Sequence, residues 1–190
     1  MPRPRFTLLA LLTVLLLLPA SAASARGHAS GFGHRAVGAC SASHADVQRG
    51  TIRRARNATL CLLNRVRSRH GLPPLRLNAR LSRAARAHSR DMVRRRYFAH
   101  DSLNGTSPFS RMRATHYVPR HASWWLGENI GWGSGSLAEP VALVRAWMHS
   151  PPHRANILSR QFRDVGIGIV PGAPVGGGGA TYTTDFGRVS

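Results

Sequence analysis

The sequence predicts an α+β fold, and three observations point there. Stretches near residues 51–69, 78–96 and 141–149 place apolar residues at helical spacings, with polar residues and arginines between them. Two short strand-like runs, Asp164 to Val170 and Ala180 to Gly187, follow one another outside any βαβ unit. The glycine tetrad Gly176 to Gly179 joins them as the loose loop of an antiparallel hairpin. With 43% apolar residues, the 190-residue chain has material for one ordinary core, which argues against a disordered basic tail. No internal repeat is visible.

The first 25 residues read as a secretory signal peptide. Arg3 and Arg5 precede the apolar stretch Phe6 to Leu18, and Pro19 is followed by the small-x-small triplets Ala20-Ser21-Ala22 and Ala23-Ser24-Ala25. Cleavage is expected after Ala25, with Ala22 as the second choice and an uncleaved anchor as the alternative. No apolar run reaches the ~18 residues of a membrane span. Residues 26–50 form a Gly/Ala/Ser-rich N-terminal segment without clear periodicity, expected to be partly disordered. Export lets an even cysteine pair oxidise, so Cys40 and Cys61 are expected to form a disulfide that ties this segment to the first helix. Closing that loop contributes about 3 kcal/mol in the chain-entropy model. The spacing excludes a CxxC motif, and two packed free thiols are the alternative.

From Thr51 to Arg69, Ile52, Ala55, Leu62, Leu63 and Val66 share a helical face, and Gly71 with Pro73-Pro74 ends the helix. A second helix starts at the N-cap Asn78 and runs to about Arg96, with Leu81, Ala84, Ala85, His88 and Met92 on one stripe. On that apolar face His88 reads first as a hydrogen-bonded core histidine. Asn104-Gly105 marks a turn, and Ser107-Pro108 caps a short helix to Thr115. The aromatic, glycine-rich stretch Trp124 to Gly133 is a poor helix and reads as an extended or looping wall, with Ser134-Gly135-Ser136 as linker. A helix over Val141 to His149 starts either from a Ser136/Glu139 capping box or with Glu139 as cap before Pro140. It presents Val141, Val144 and either Trp147 or Met148 inward. Ser150-Pro151-Pro152 breaks it and caps a short helix with His153 in its first turn.

Charge narrows the partners. There are 27 basic residues, all arginine, against 7 acidic ones, a formal +20. Without the first 25 residues, 25 basic and 7 acidic side chains leave +18, so the excess belongs to the folded part. Outside the cell this favours phosphate-bearing wall polymers or acidic lipid headgroups through a screened, sequence-independent attraction. No nucleic-acid-binding motif is present, so no specific nucleic-acid partner is expected. Asn57-Ala58-Thr59 and Asn104-Gly105-Thr106 match glycosylation acceptors, a pattern common by chance.

Three side chains could carry chemistry. Glu128 lies among tryptophans and glycines, where a carboxylate is desolvated unless a cation or metal stands near. His153, near a helix N-terminus, is disfavoured as imidazolium and suits a ligand or base. His100, just past a helix end and followed by Asp101, is the third. Such a His/Glu/His set suits a zinc-like divalent ion with open positions for water. Spacing does not establish it: His149 and His153 stand four apart, but two prolines intervene, and neither HExxH nor GxSxG occurs. Buried structural hydrogen bonds are the competing interpretation.

The chain also resembles the bacterial secreted branch of the CAP superfamily, which contains cysteine-rich secretory proteins, antigen 5 and plant pathogenesis-related proteins. Five ordered segments over about residues 57 to 187 carry the likeness. They are Leu62-Leu63-Asn64-Arg65 with Gly71 to Leu75; Ala87 to Met92 running into Tyr97-Phe98-Ala99-His100; Gly127-Glu128-Asn129-Ile130; Trp147 to Ser150 into His153 to Leu158; and Asp164 to Gly168 with Tyr182 to Gly187. The resemblance implies an α-β-α sandwich, a small central antiparallel sheet flanked by helices, over residues 51–190. It implies a central cleft lined by two histidines and two acidic residues able to hold a divalent metal. His100, Glu128 and His153 match three of these positions, and the fourth, a glutamate in the family, is Ser150 here. His100 and His153, with Glu128 as a further ligand or as the group fixing a histidine tautomer, are the expected metal ligands. The expectation is a monomeric protein, secreted or wall-associated, that binds a lipid or cell-envelope ligand through this cleft. A metal-assisted hydrolase or peptidase using Glu128, His100 and His153 is the alternative, and a wall-associated structural protein the third.

Overall fold

The computed structural model describes residues 40–48 and 50–190. The expected signal peptide and most of the expected N-terminal segment lie outside the described residues.

Helix α1 (Ile52–Arg69) buries Ala55, Ala58, Thr59, Leu63 and Arg67. Its Cys61 is joined to Cys40, which anchors the described part of the N-terminal segment to the helix. Arg67 is fully buried, and its guanidinium donates to the carbonyls of Pro73, Ile157, Ser159 and Phe162. One arginine of the basic count is therefore an internal tie. After the turn at Gly71, the Asn64 side chain accepts from the Leu75 amide at 2.7 Å and donates to its carbonyl at 3.0 Å. That brace leads into β1 (Arg76–Leu77), which pairs in parallel with β3 (Asp164–Pro171). The sheet is thus mixed rather than purely antiparallel, and a two-residue strand is too short to show an alternating pattern in the sequence.

Helix α2 (Ala79–Arg95) starts as expected: Asn78 Oδ1 accepts from the amides of Arg80 and Leu81 at 2.9 and 3.2 Å. Helix α3 (Pro108–Ala114) is capped by Ser107 with proline in its first turn. The wall expected over Trp124 to Gly133 is strand β2 (Trp124–Gly133), paired along its whole length with β4 (Ala180–Val189). The linker that follows is a short 3-10 turn, Gly135–Ala138. Helix α4 (Pro140–His149) has Glu139 at its N-cap position, but the carboxylate bonds His44 Nδ1 at 2.9 Å instead of capping. Leu143, Val144 and Trp147 face inward, while Val141 is only half-buried. Helix α5 (Pro151–Leu158) follows directly.

The strand order is β1-β3-β4-β2, with β3 and β4 forming the expected hairpin. One layer holds α2 and α3, the other α1, α4 and α5. A Cβ on Gly166 would lie 2.1 Å from the Leu81 carbonyl carbon, and one on Gly168 would lie 2.2 Å from the Arg86 amide nitrogen. Helix α2 therefore rests directly on the β3 backbone, a contact only glycine permits. Against the opposite face pack Leu63, Trp147, Ile157, Val165, Tyr182 and Phe186. Among the described residues, no helix is long and apolar enough to cross a membrane.

Candidate functional site

Strand β2 is an edge strand, and the residues named from sequence gather along it. Glu128 is buried, and its two carboxylate oxygens are bound separately: His100 Nδ1 donates to Oε1 at 2.8 Å and Arg111 Nη2 to Oε2 at 2.8 Å. Burial pushes this carboxyl up, but the His100 hydrogen bond and the Arg111 charge outweigh it and hold Glu128 below the ordinary range. An ionised carboxylate only accepts, so His100 carries a proton on Nδ1. The His100 side chain is half exposed, and among the described residues its Nε2 has no hydrogen-bond partner.

The loop that presents His100 is fixed from two sides. His88, on α2, donates from Nε2 to the Ala99 carbonyl at 3.0 Å, and Arg111 Nη2 donates to the His100 carbonyl at 2.8 Å. His88 is a core histidine as expected, with burial as the main cause of its lowered pKa, and it acts by positioning its neighbour. Asp101 is exposed and pairs with no described residue.

His153 comes from the other layer. Ser150 is the N-cap residue of α5, whose first two positions are Pro151 and Pro152, and its side chain caps no backbone amide. The Ser150 hydroxyl meets the ring instead, with Oγ 2.8 Å from His153 Nδ1. Burial and then the charge of His100 lower the His153 pKa, so the two imidazoles sense each other while His153 stays neutral. Asn156, a turn later in α5, donates to the Glu128 carbonyl at 3.1 Å and to Asn129 Oδ1 at 2.9 Å, and Asn129 returns a bond to the His153 carbonyl at 3.0 Å. These bonds pin α5 to β2. His149 is exposed and bonds within its own helix, apart from His153.

Two further residues belong to the cluster. Arg111 is the cation that an isolated glutamate required, one arginine among many and unmarked by any motif. Asp185 lies directly across the β2–β4 ladder from Glu128 and is fully buried. Burial and then the adjacent Glu128 charge raise its pKa well above the ordinary range, which leaves it a neutral acid. Only its register against Glu128 reveals it, and register is a tertiary fact.

This donor set does not fit a three-ligand zinc-like centre as it stands. Each Glu128 oxygen already accepts one hydrogen bond, and the Arg111 guanidinium sets a positive charge against the carboxylate that a metal ion would need. Among the described residues, no group of three or more His, Cys, Asp or Glu side chains is placed to hold a metal ion. Two imidazoles and the Ser150 hydroxyl remain to meet a ligand.

The sequence pattern of the CAP family, described as the Cysteine-rich secretory protein family, matches residues 60–184. The chain is 40% identical over 109 residues to the uncharacterised protein YkwD of Bacillus subtilis, spanning 57% of this chain and 40% of YkwD. It is 31% identical over 110 residues to the uncharacterised membrane protein YlbC of the same organism, spanning 58% of this chain and 30% of YlbC. Less than half the length of either relative is covered. Among solved structures, an extracellular protein containing an SCP domain from Bacillus anthracis superposes with a TM-score of 0.59 at 29% identity, over 75% of this chain and 44% of that one. An outer surface protein of Borrelia burgdorferi shares the fold at TM-score 0.55 and 19% identity, over 67% of this chain and 87% of that one.

Proposed function

The chain belongs to the CAP family of cysteine-rich secretory proteins, and from that premise we propose that it is an exported, monomeric binding protein whose β2-edge cleft takes a lipid or other cell-envelope ligand. On this reading residues 1–25 are removed and the mature chain begins at Arg26. The observation that carries it is the state of Glu128. A general base works best with a pKa near the operating pH, and the hydrogen bond from His100 and the charge of Arg111 hold this carboxylate below the ordinary range, which makes it a weak base. Its charge orients His100 instead of activating water. The cleft then presents His100 Nε2, His153 and Ser150 as a hydrogen-bonding rim for a ligand head group. Exposed Phe109 and Trp124 pack on each other at 6.1 Å between ring centroids, and Trp124 is four residues, about 14 Å, along β2 from Glu128. They offer apolar surface to the remainder of a lipid.

The test is titration of the protein with fluorescent fatty-acid and sterol probes, beside a His100→Ala/His153→Ala variant. Loss of two hydrogen bonds should weaken binding about tenfold or more. Equal affinity in the two proteins would remove the histidines from the ligand's path. Zinc titration should give no saturable site tighter than micromolar, because the third ligand, Glu128, is already paired with the Arg111 charge.

A further inference from the structure

The exposed face of α2 carries Arg83, Arg86 and Arg90 at spacings of three and four, a row spanning about 10 Å of helix axis. Helix α3 runs beside it, and between the two helices lies a groove of about 630 Å³ into which these three side chains and Arg111 project, with Ala84, Ala87 and Ala114 as its floor. A smaller recess of about 270 Å³ on the other flank of α2 shares Arg83 and Arg86 and adds Arg56. No counter-charge serves the row. Asp91 pairs with Arg95 and Tyr97, Glu128 with His100 and Arg111, Glu139 with His44, and Asp164 with Tyr117. Among the described residues, Arg83 reaches only the Thr115 carbonyl at 3.4 Å, and neither Arg86 nor Arg90 has an ion pair or hydrogen bond.

A solvated basic face would be convex and diffuse. Here the charges rim a concavity, which focuses positive potential, and the guanidinium fork matches phosphate oxygens bidentately. The row is linear, so it suits successive charges on a chain. The groove contains no Phe, Tyr or Trp to stack a base, unlike single-strand nucleic-acid sites.

We propose that the α2–α3 groove is a binding site for a linear phosphodiester polymer of the cell envelope, whose phosphates pair with Arg83, Arg86 and Arg90 while its uncharged units lie on the alanines. The choice of an envelope polymer rests on the exported reading above; the anion site borders the His100/His153 cleft at Arg111 but rests on Arg83, Arg86 and Arg90, none of which bonds His100, Glu128 or His153.

The experiment titrates the full chain with poly(glycerol phosphate) by calorimetry at several salt concentrations. The variant Arg86→Ala/Arg90→Ala is compared with Arg145→Ala/Arg160→Ala, which removes the same charge from exposed positions on α4 and beyond α5. The groove variant should bind about tenfold or more weakly, with its salt slope reduced by about two, and the control should stay within about twofold of the parent. Arg86→Lys/Arg90→Lys keeps the charge without the fork and should fall between. Equal loss in both alanine variants would overturn the site in favour of diffuse net charge. Equal affinity for polyglutamate of matched charge would overturn phosphate recognition. Binding to phosphatidylglycerol vesicles with the same arginine dependence, without binding to the soluble polymer, would replace the chain by a membrane. His100→Ala/His153→Ala should leave polymer binding intact, so failure of the cleft reading and failure of the groove register separately.

Discussion

Two carboxyl groups face each other across β2 and β4, and they are in opposite protonation states. Glu128 is ionised because His100 and Arg111 hold it, whereas Asp185 is driven neutral by burial and by the charge of Glu128. The stability consequences have opposite signs. A carboxyl with a lowered folded pKa adds stability above its unfolded value of about 4.3, and that contribution is lost as pH falls through the folded pKa. One with a raised folded pKa costs stability once pH exceeds its unfolded value of about 3.9, because the unfolded chain releases a proton that the folded one keeps. Asp185→Asn retains the shape and removes that proton. In urea denaturation the variant should gain on the parent by about 1.4 kcal/mol per pH unit from about pH 4 up to the folded pKa of Asp185. A difference that does not vary with pH would mean that Asp185 is charged in the folded protein.

Elements are placed by close approach more than by periodicity. Helix α2 carries His88, which fixes the His100 loop, and it carries the arginine row; its height above the sheet is set by Gly166 and Gly168. Gly168→Ala would force a methyl group onto the Arg86 amide and the Ala85 carbonyl, backbone that cannot swing aside. The expected cost is about 3 kcal/mol or more, at the upper end for overpacking, read as a lowered urea midpoint. Exposed Ala87, in the same helix, should tolerate Ser with little change. In α5 the Ser150 hydroxyl caps no amide and meets the His153 ring instead.

The whole molecule is held from its N-terminal side by one covalent bond. Cys40–Cys61 closes a loop of sequence separation 21, and Cys40 is buried. Cys40→Ala/Cys61→Ala, or reduction, should lower the unfolding free energy by about 3 kcal/mol in the chain-entropy model. A chemical-denaturation midpoint unmoved by reductant would show that the segment before α1 adds nothing to the cooperative unit. The charge acts on the same scale but differently: +20 with seven acidic residues leaves most arginines without a carboxylate, and their distribution decides what the protein attracts.

Helix starts and stops, the apolar stripes, the hairpin and the cysteine pairing were legible in sequence because each rests on local rules: caps, period, glycine turns and an even thiol count. Asn78, Ser107 and the stripe from Leu81 to Met92 behave as those rules require. The ordered CAP segments marked His100, Glu128, His153 and Ser150, and the isolation of Glu128 among aromatics implied a cation. Which cation was a tertiary decision. Arg111 looks like every other arginine in the chain until α3 packs against β2. Asp185 becomes a neutral acid only once strand register sets it opposite Glu128, and β1 exists only because β3 offers it an edge. The α2–α3 groove likewise needs two helices side by side. Local sequence specifies dihedrals and caps; the partner of a buried charge and the depth of a groove depend on segments far apart in the chain, and only packing brings them together.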